Sequence, residues 1–426
     1  MVTRAFYLES FGCKLNQADA ELIKKVLKEK GFKETSENEA DFVILVTCGV
    51  VKRTERKILK RAKEIKKKGK KLILAGCLPL ISSKSCQEVA DGLVGPKNVL
   101  DLPKIVEKVL KGKKAVSLEQ KPIDKAKLRC FAIKKETCTA IVPISEGCLS
   151  FCSYCATKLA RKNLKSFDEK EILKNVKLAL EAGAKEIQLT SQDLAIYGRD
   201  KGKFLLPQLL EKISKIEGNF RVRLGMMNPF WAKKIFKKLL KVMESEKFYK
   251  FLHLPLQSGS ERILKLMRRN YTPKDFFDLV SKFRKKFKNS LLATDVIVGF
   301  PSETEKDFQD TLKAIKRTKP EILHLFRYSK REGTEATKLG DFPGRIKKQR
   351  SRILAKLFLE ICQKSAKKYL GKTFKVLITE KRGKVFLGRL PSYKAVLLKK
   401  GKLGVFFKVK IKAAKPNYLV GEILED

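Results

Sequence analysis

Residues 139–155 read TAIVPISEGCLSFCSYC, an apolar run that predicts a buried strand and is followed at once by three cysteines. Cys148, Cys152 and Cys155 have the spacing C-x3-C-x2-C, in a chain that contains only two histidines. A disulfide uses two thiols, and a structural zinc site usually has four ligands. Three thiolates can instead hold a four-iron cluster and leave one iron open, for example to the amino and carboxylate groups of S-adenosylmethionine. A zinc site that borrows a fourth ligand and a set of three inert thiols are the alternatives.

The chain around this stretch alternates strand-like and helix-like segments. Six apolar runs predict strands between residues 128 and 365: TAIVPIS, EIQLTS, RVRLGM, FLHLPL, ATDVIVGF and ILHLFRY. Helical stretches such as DEKEILKNVKLALEA separate them, and a last helix is predicted over residues 347–369. Six such units predict a partial (β/α)6 barrel of the TIM type, because a full eight-unit barrel would need more chain. The cysteine triplet would then follow the first strand at the carboxyl face, where barrel enzymes build their active sites.

Residues 1–125 predict a further α/β domain. AFYLES, DFVILVT and KLILAG read as strands, and helices are predicted over residues 19–30 and 53–68. Strands that alternate with helices in this way indicate an open parallel sheet with helices on both faces.

A second set of three cysteines lies in this N-terminal region. Cys13, Cys48 and Cys77 each stand just past the end of a predicted strand. Ligands of open α/β sheets bind outside the carboxyl ends of the strands, so these thiols can converge although they are far apart in sequence. The functional interpretation is a second three-thiolate cluster with an open iron, and ordinary buried cysteines are the alternative.

Residues 371–426 change character and predict a small antiparallel β-barrel of about five strands. This segment contains 14 Lys or Arg residues and four Asp or Glu residues. A short basic barrel at a chain terminus is typical of an RNA-binding appendage. A barrel that only packs against its neighbour is the alternative.

The composition of the whole chain indicates a polyanionic partner. Its 426 residues include 96 Lys or Arg and 46 Asp or Glu, a formal net charge of +50, and phosphate contacts would use that excess. A lysine-rich surface from a heat-adapted proteome is the alternative. The first residues do not read as a signal peptide and the apolar runs are too short to span a membrane. We therefore expect a cytoplasmic protein with no membrane partner, in which clustered thiols indicate metal binding or catalysis.

These motifs together resemble the radical S-adenosylmethionine (SAM) methylthiotransferases over essentially the whole chain. The similar segments are FGCKLNQAD, GCLSFCSYC, QLTSQDLAIYGRD, HLPLQSGSERILKLMRRNYT, DVIVGFPSETEKDF and a C-terminal part similar to a TRAM domain. The resemblance implies three domains: an N-terminal methylthiotransferase domain over residues 1–125, a radical SAM domain over residues 128–365, and a TRAM-like RNA-binding domain over residues 371–426.

The resemblance also implies the cofactors and the chemistry. One [4Fe-4S] cluster on Cys148, Cys152 and Cys155 would cleave SAM to a radical, and an auxiliary [4Fe-4S] cluster on the N-terminal cysteines would hold the sulfur that is methylated and transferred. All six cysteines would then be catalytic as well as metal ligands. An electron donor and a sulfur donor are also required, and the sequence identifies neither. Residues expected to bind SAM are Tyr154 within the triplet and, at the rim of the barrel, Gln192, Asp193, Gln257, Ser258, Gly299, Phe300 and Glu303. A loop cap or turn is the alternative for each rim residue.

Other residues near these motifs have simpler interpretations. Asn16 and Asp19 match the family pattern, although Asp19 could simply cap the helix that follows. Where the family usually has Asn-Thr-Cys, this chain has Val46, Thr47 and Cys48. The remaining polar or aromatic candidates are expected to be ordinary thiols or packed side chains; they are Cys86, Cys130, Cys138, Cys362, His253, His324 and Trp231.

Three substrates are known for relatives of this kind: isopentenyladenosine in tRNA, threonylcarbamoyladenosine in tRNA, and an aspartate of a ribosomal protein. A chain of charge +50 would repel a basic ribosomal protein and attract the anticodon stem-loop of tRNA. RTERKIL, SQDLAIYGRD and KKQRSR resemble the archaeal and eukaryotic threonylcarbamoyladenosine type, which implies a 2-methylthio product at position 37. The carboxylate of that substrate would need a cation, for which Arg199, Arg268 and Arg327 are candidates and surface solvation is the alternative.

Overall fold

A computed structural model describes residues 4–119, 123–133 and 136–424. These residues form two compact units. The first contains the described residues up to 132, with residues 141–175 and 329–337, and the second contains residues 133–140, 176–328 and 338–424 as far as they are described. All six cysteines of the two predicted sites belong to the first unit. No helix in the described ranges is long and apolar enough to cross a membrane.

The first unit is built on a parallel sheet, as predicted. Its strands are β1 (Ala5–Ser10), β2 (Lys33–Glu34), β3 (Phe42–Thr47), β4 (Lys71–Gly76), β5 (Gly92–Val94) and β6 (Ala115–Ser117). The order in the sheet is β2-β1-β3-β4-β5-β6, and every neighbouring pair is parallel. The three strands that precede the N-terminal cysteines, β1, β3 and β4, are therefore direct neighbours.

Helices cover both faces of this sheet. The helices of the first unit are α1 (Lys14–Glu29), α2 (Lys52–Lys67), α3 (Leu78–Ile81), α4 (Ser83–Gln87), α5 (Leu102–Leu110) and α6 (Thr157–Arg161). On one face, Ile44 of β3 shares a buried cluster with Ile23 of α1 and Val106 of α5. On the other face, Leu45 packs with Ile58 of α2. Adjacent residues of a strand point to opposite faces, so β3, which is apolar except for Thr47, can be buried on both sides.

The start of α1 differs from the prediction. The helix begins at Lys14, five residues before the predicted start, because Cys13 has an extended conformation and itself occupies the N-cap position. Asp19 consequently lies inside the helix and is buried. The interpretation of Asp19 as a helix cap is wrong.

The central region contains all six predicted barrel strands. In chain order its strands are β7 (Ala132–Ile133), β8 (Thr139–Pro143), β9 (Ser145–Glu146), β10 (Lys165–Ser166), β11 (Glu186–Thr190), β12 (Arg221–Leu224), β13 (Phe251–His253), β14 (Leu291–Val298) and β15 (Ile322–Arg327). The helices between them are α7 (Glu169–Glu181), α8 (Leu206–Ser214), α9 (Pro229–Val242), α10 (Glu261–Leu266), α11 (Pro273–Lys286) and α12 (Glu305–Thr318). The sheet orders are β12-β11-β8-β7 and β13-β14-β15, and a parallel bridge from Val222 to Phe248 joins the end of one to the start of the other. This arc of parallel strands is the predicted partial barrel.

A long helix leads from the barrel to the C-terminal strands. This helix, α13, spans Gly344–Ala366 and ends in a single 3-10 turn, Lys367–Tyr369. It starts three residues earlier than predicted, directly after its N-cap residue Pro343, which has no N–H to donate to a preceding helical turn. Ala366 and Tyr369 pack into the core of the C-terminal strands, so the end of the helix is part of that core.

The C-terminal strands close into the predicted five-stranded barrel, with one difference. They are β16 (Thr373–Arg382), β17 (Val385–Arg389), β18 (Ala395–Leu398), β19 (Phe406–Ala414) and β20 (Leu419–Ile423), in the closed order β16-β17-β18-β20-β19. Four pairs are antiparallel, but β18 and β20 are parallel. The predicted antiparallel barrel is confirmed, and this one pair departs from the antiparallel pattern. A closed ring with an odd number of strands cannot alternate direction at every step, so one parallel pair is unavoidable.

Within the second unit this small barrel is fixed to the amino ends of the parallel strands. The Lys250 N–H donates to the Pro391 carbonyl at 2.8 Å, and the Cys138 N–H donates to the Thr379 carbonyl at 3.1 Å. The Tyr393 ring contacts the ring of Tyr249, with centroids 4.9 Å apart. The predicted rim residues follow the opposite, carboxyl ends of β11, β13 and β14.

Candidate functional site

Cys13, Cys48 and Cys77 follow three neighbouring strands and meet at one edge of the sheet. Cys48 and Cys77 are buried, and Cys13 is exposed. The pKa of Cys48 is raised and that of Cys77 is raised to about 12; burial is the main cause in both, and the nearby charge of Cys13 contributes. The three sulfurs are thus within electrostatic reach of one another, as the sheet topology predicts. A metal that replaces the three protons would remove the mutual repulsion that thiolates alone would suffer.

Gly12 and Asn16 shape this cysteine site. Gly12 has φ +111°, and a Cβ atom there would lie 2.4 Å from the Cβ and 3.1 Å from the sulfur of Cys48. The Asn16 side-chain amide donates to the carbonyl of Phe11 at 3.0 Å and to that of Thr47 at 2.8 Å. Asn16 therefore ties the loop before Cys13 to the residue before Cys48. The site is closely packed around the sulfurs and held from two strands.

Val46, at the position where the family usually has Asn, is a core residue in this chain. It is fully buried and packs with the residues on the α1 side of the sheet. Asn16 already supplies an amide that bridges to the neighbouring Thr47. The residue before Cys48 therefore still accepts a hydrogen bond from a side-chain amide, although Val46 has none.

The triplet Cys148, Cys152 and Cys155 lies in a tight loop between β9 and α6. All three cysteines are partly exposed to solvent. The Ser150 N–H donates to the Cys148 sulfur at 3.3 Å, and the Cys155 N–H donates to the Cys152 carbonyl at 3.1 Å. Burial of the Cys155 sulfur raises its pKa, and the charge of Cys152 adds to that effect, so these two thiols also lie close together. Tyr154, which lies between Cys152 and Cys155 in the sequence, is half-buried.

A buried charge network connects the two cysteine sites within the first unit. Arg161, in the helix after the triplet, is 1% exposed, and its Nε donates to the Cys77 sulfur at 3.3 Å. The same guanidinium contacts Asp19 at 2.7 Å and Glu146 at 2.5 Å. Lys125 contacts the same two carboxylates, at 2.7 and 3.0 Å. Burial raises the pKa of Asp19, but the two cations outweigh it and hold that pKa below its usual range.

Sequence reasoning did not single out Arg161, Glu146 or Lys125. Their sequence positions offer one indication, because Glu146 and Arg161 lie on either side of the triplet. Charged side chains are almost never fully buried unless they are paired, so their burial could not be expected from the sequence. The contact between Arg161 and Cys77 joins residues 84 positions apart.

A second arginine lies near Cys48. Arg331 is 5% exposed and pairs with Glu55 of α2, which also accepts from the Ser82 hydroxyl at 3.0 Å. The charges of Arg161 and Arg331 both act to lower the pKa of Cys48, against the larger effect of burial. Two guanidinium groups thus accompany the N-terminal thiols, which suits a site that holds negative charge.

Asp193 and Gln192 lie in the loop after β11. The Asp193 carboxylate accepts the N–H of Ala195 and that of Asn228, both at 3.1 Å, and so joins the loops that follow β11 and β12. Burial raises its pKa to about 7. The Oδ2 atom of Asp193 has no hydrogen-bond partner among the described residues. The preceding residue, Gln192, is half-buried. Asp193 therefore has a structural role in joining the two loops, and its buried Oδ2 atom remains available to bind a ligand.

Gln257 and Ser258 follow β13. Gln257 has φ +65°, an uncommon conformation for a residue with a side chain, and its backbone bonds to both Asp295 and Ile297 of β14. Its side-chain oxygen is buried and has no partner within the described chain. The Ser258 hydroxyl is fully buried and accepts the Ser260 N–H at 3.2 Å. Gln257 thus carries both backbone strain and a free acceptor.

Gly299, Phe300 and Glu303 form the turn after β14. Glu303 accepts the Gly299 N–H at 2.7 Å and pairs with Arg350 of α13. Burial raises the pKa of Glu303, although Gly299 and Arg350 act against it. Phe300 is fully buried with its ring against Tyr328, and its carbonyl accepts the Glu303 N–H at 3.0 Å.

His253 and His324 share one carboxylate instead of packing independently. His253 Nε2 lies 2.9 Å and His324 Nδ1 lies 2.7 Å from Asp295 Oδ1, and the three ligand atoms are within 4.8 Å of one another. His253 is largely buried, as predicted, but the His324 side chain is 44% exposed, so the prediction of a packed residue is wrong there. The set could hold a divalent ion, yet each histidine already satisfies the carboxylate without one.

The three predicted cations for a substrate carboxylate differ in exposure, because Arg199 is partly buried and the other two are exposed. Arg199 stacks on Phe204 and donates to the Gly202 carbonyl within its own turn. Arg268 and Arg327 are exposed. The four remaining cysteines, Cys86, Cys130, Cys138 and Cys362, are all buried free thiols, and Trp231 packs against Phe230.

Models of known families match three successive segments of the chain. The N-terminal residues 5–95 match the Uncharacterized protein family UPF0004, residues 142–315 match the Radical SAM superfamily, and residues 367–424 match the TRAM domain. A relative from Archaeoglobus fulgidus named "Probable threonylcarbamoyladenosine tRNA methylthiotransferase" is 46% identical over 98% of this chain and 98% of its own length. The chain belongs to the tRNA methylthiotransferase family. The resemblance carried by the cysteine motifs is thereby confirmed.

A further relative and a solved structure are also similar to this chain. The "tRNA-2-methylthio-N(6)-dimethylallyladenosine synthase" of Aquifex aeolicus is 33% identical over the whole of this chain and 99% of its own length. The radical S-adenosylmethionine methyltransferase TsrM from Kitasatospora setae, solved with tryptophan and a SAM analogue, has a TM-score of 0.58. That likeness covers 76% of this chain and 73% of TsrM at 10% identity, so it shows a shared fold.

Proposed function

We propose that this methylthiotransferase converts N6-threonylcarbamoyladenosine at position 37 of tRNA to its 2-methylthio derivative. The observation that carries the proposal is the convergence of Cys13, Cys48 and Cys77 in the same unit as the triplet. A radical SAM enzyme that only abstracts hydrogen has no need of this second thiol set. The choice of substrate is supported by the higher identity to the threonylcarbamoyladenosine relative, 46%, than to the dimethylallyladenosine relative, 33%.

The residues present fit two [4Fe-4S] clusters and SAM. Each cysteine set offers three thiolates, the donors that hold such clusters, and leaves one iron for another ligand. When bound, these groups supply radical abstraction of hydrogen at one site and a transferable sulfur at the other. The protein supplies placement: Asn16 and the turn at Gly12 fix the N-terminal thiols, and the loop hydrogen bonds fix the triplet.

The remaining binding roles follow the position of each residue. We expect Tyr154 to bind the adenine of SAM and the rim residues to bind its methionine and ribose; the rim residues are Gln192, Asp193, Gln257, Ser258, Gly299, Phe300 and Glu303. The free oxygens of Asp193 and Gln257 are the ones best suited to accept hydrogen bonds. The anticodon stem-loop of tRNA is the macromolecular partner, and phosphate contacts by the lysine-rich chain supply its affinity. An external electron donor and an external sulfur donor complete the reaction.

Mass spectrometry of tRNA nucleosides tests the substrate. We expect 2-methylthio-N6-threonylcarbamoyladenosine to appear when the gene is expressed in cells that lack this modification. Both N6-modified adenosines should be present in those cells as competing substrates. A methylthio group only on isopentenyladenosine would overturn the substrate choice, and the absence of any methylthio nucleoside would overturn the function.

Replacing Gly12 with alanine should empty the N-terminal iron site. The new Cβ would overlap Cys48 at 2.4 Å while φ stays at +111°, so the Cys48 sulfur must move. Anaerobic iron analysis should fall from about eight to about four irons per chain. Gly31→Ala is the matched control, because Gly31 has φ +83° but nothing within 4 Å of its Cβ position. Equal iron content in the two variants would contradict the expectation.

A further inference from the structure

Arg161 has a contact that the roles above do not explain. Its Nε points to the Cys77 sulfur at 3.3 Å, while its terminal nitrogens are taken by Asp19, Glu146 and Asn16. The side chain is 1% exposed, so this orientation is imposed by the surrounding protein. A buried arginine needs carboxylates to offset the loss of water, but it does not need a sulfur.

The carboxylates around Arg161 are shared with a second cation. Arg161 and Lys125 face Asp19 and Glu146 in one buried cluster, and Lys97 lies within electrostatic reach of it. A thiolate at Cys77 would add a further negative charge to this cluster, and the Arg161 Nε–H is the donor that meets it. Lys125 belongs to the same cluster, and its described contacts are with carboxylates.

The same cluster holds both ends of the triplet loop. Glu146 precedes Gly147, and Arg161 closes the helix that follows Cys155. Gly147 packs so tightly that a Cβ atom there would lie 2.0 Å from the Asn163 carbonyl oxygen, and the Cys148 N–H donates to the Lys162 carbonyl. The position of Arg161 at Cys77 is thus fixed by the segment that carries the other cysteine set.

We propose that Arg161 is a positioning residue that raises the reduction potential of an iron–sulfur cluster held by Cys13, Cys48 and Cys77, an inference that rests on the proposed function. A hydrogen bond to a ligating sulfur and a positive charge beside it both stabilise the reduced cluster, which carries more negative charge. Arg161 couples the two sites because it belongs to the triplet segment and contacts a ligand of the N-terminal set.

Redox titration of the N-terminal cluster tests this role. The full-length chain would carry Cys152→Ala throughout, so that iron at the N-terminal site is observed alone, and each variant would be reconstituted anaerobically and its iron counted. Arg161→Gln should change the ratio of oxidised to reduced cluster about tenfold at a fixed potential, a fall of about 59 mV for a one-electron couple. Arg161→Lys keeps the charge but places it between two carboxylates, so the potential should fall by less.

Lys125→Gln is the matched control, because it removes one positive charge from the same cluster without removing a donor to sulfur. Its potential should fall less than that of Arg161→Gln. Equal falls in these two variants would overturn the inference, and so would unchanged potentials in both Arg161 variants. If Arg161→Gln binds no iron, an unchanged potential in Arg161→Lys is the overturning result. Absence of iron at this site without any Arg161 substitution would instead overturn the proposed function.

Discussion

Replacing Cys152 with alanine should abolish formation of the methylthio nucleoside while leaving the affinity for tRNA nearly unchanged. The substitution removes one of the three thiolates in a loop that has no fourth cysteine, so the triplet can no longer hold its cluster. Affinity for tRNA should persist because it comes from phosphate contacts by lysine and arginine side chains, and the substitution removes none of them. Product is measured by mass spectrometry of nucleosides, and affinity by titration of labelled tRNA at a fixed salt concentration.

Cys86→Ala is the appropriate control for this variant. Cys86 is a fully buried free thiol of the first unit and belongs to neither cysteine set. It should keep about eight irons per chain, whereas Cys152→Ala should keep about four. An equal loss of activity and tRNA affinity in Cys152→Ala would mean that the residue is needed for folding or RNA binding. The assignment of its thiol to chemistry alone would then be wrong.

The general plan of the fold could be predicted because apolar patterns repeat at the spacing of strands and helices. FVILVT and KLILAG are buried strands of a parallel sheet, and their neighbours in the sheet follow from the alternation with helices. The convergence of Cys13, Cys48 and Cys77 followed from one topological rule, that carboxyl ends of adjacent parallel strands lie at one edge. Such rules depend on element order and do not need side-chain detail.

The contacts that sequence could not predict are long-range and electrostatic. Acidic residues favour helix caps, so a cap is the simpler interpretation of Asp19 from the sequence, but Cys13 occupies the N-cap position and the helix starts earlier. Its partners, Lys125 and Arg161, lie 106 and 142 residues away, and no local pattern announces them. The parallel pair of β18 and β20 is different, since the predicted odd number of strands in a closed barrel already required one such pair.

Two functions of the cysteine sets can be separated by a single substitution in the N-terminal set. Cys48→Ala should abolish transfer of the methylthio group but leave reductive cleavage of SAM in place. Cys48 is a buried member of the three-thiol group, and Gly12 packs directly against it. The substitution therefore removes one of the proposed thiolate ligands and leaves a space beside Gly12. The triplet loop keeps its own hydrogen bonds, from Ser150 to Cys148 and from Cys155 to Cys152.

The measurement compares two products in one reaction: 5′-deoxyadenosine from SAM and methylthio nucleoside from tRNA. In Cys48→Ala the first should persist and the second should vanish, with iron near four per chain, whereas both should vanish in Cys152→Ala. The pair of variants is informative because each removes one thiol from a different set within the same unit. Loss of 5′-deoxyadenosine in Cys48→Ala, with iron still bound at the triplet, would show that the two sites do not act separately. Arg161, which contacts Cys77 from the triplet segment, is the residue through which such dependence would pass.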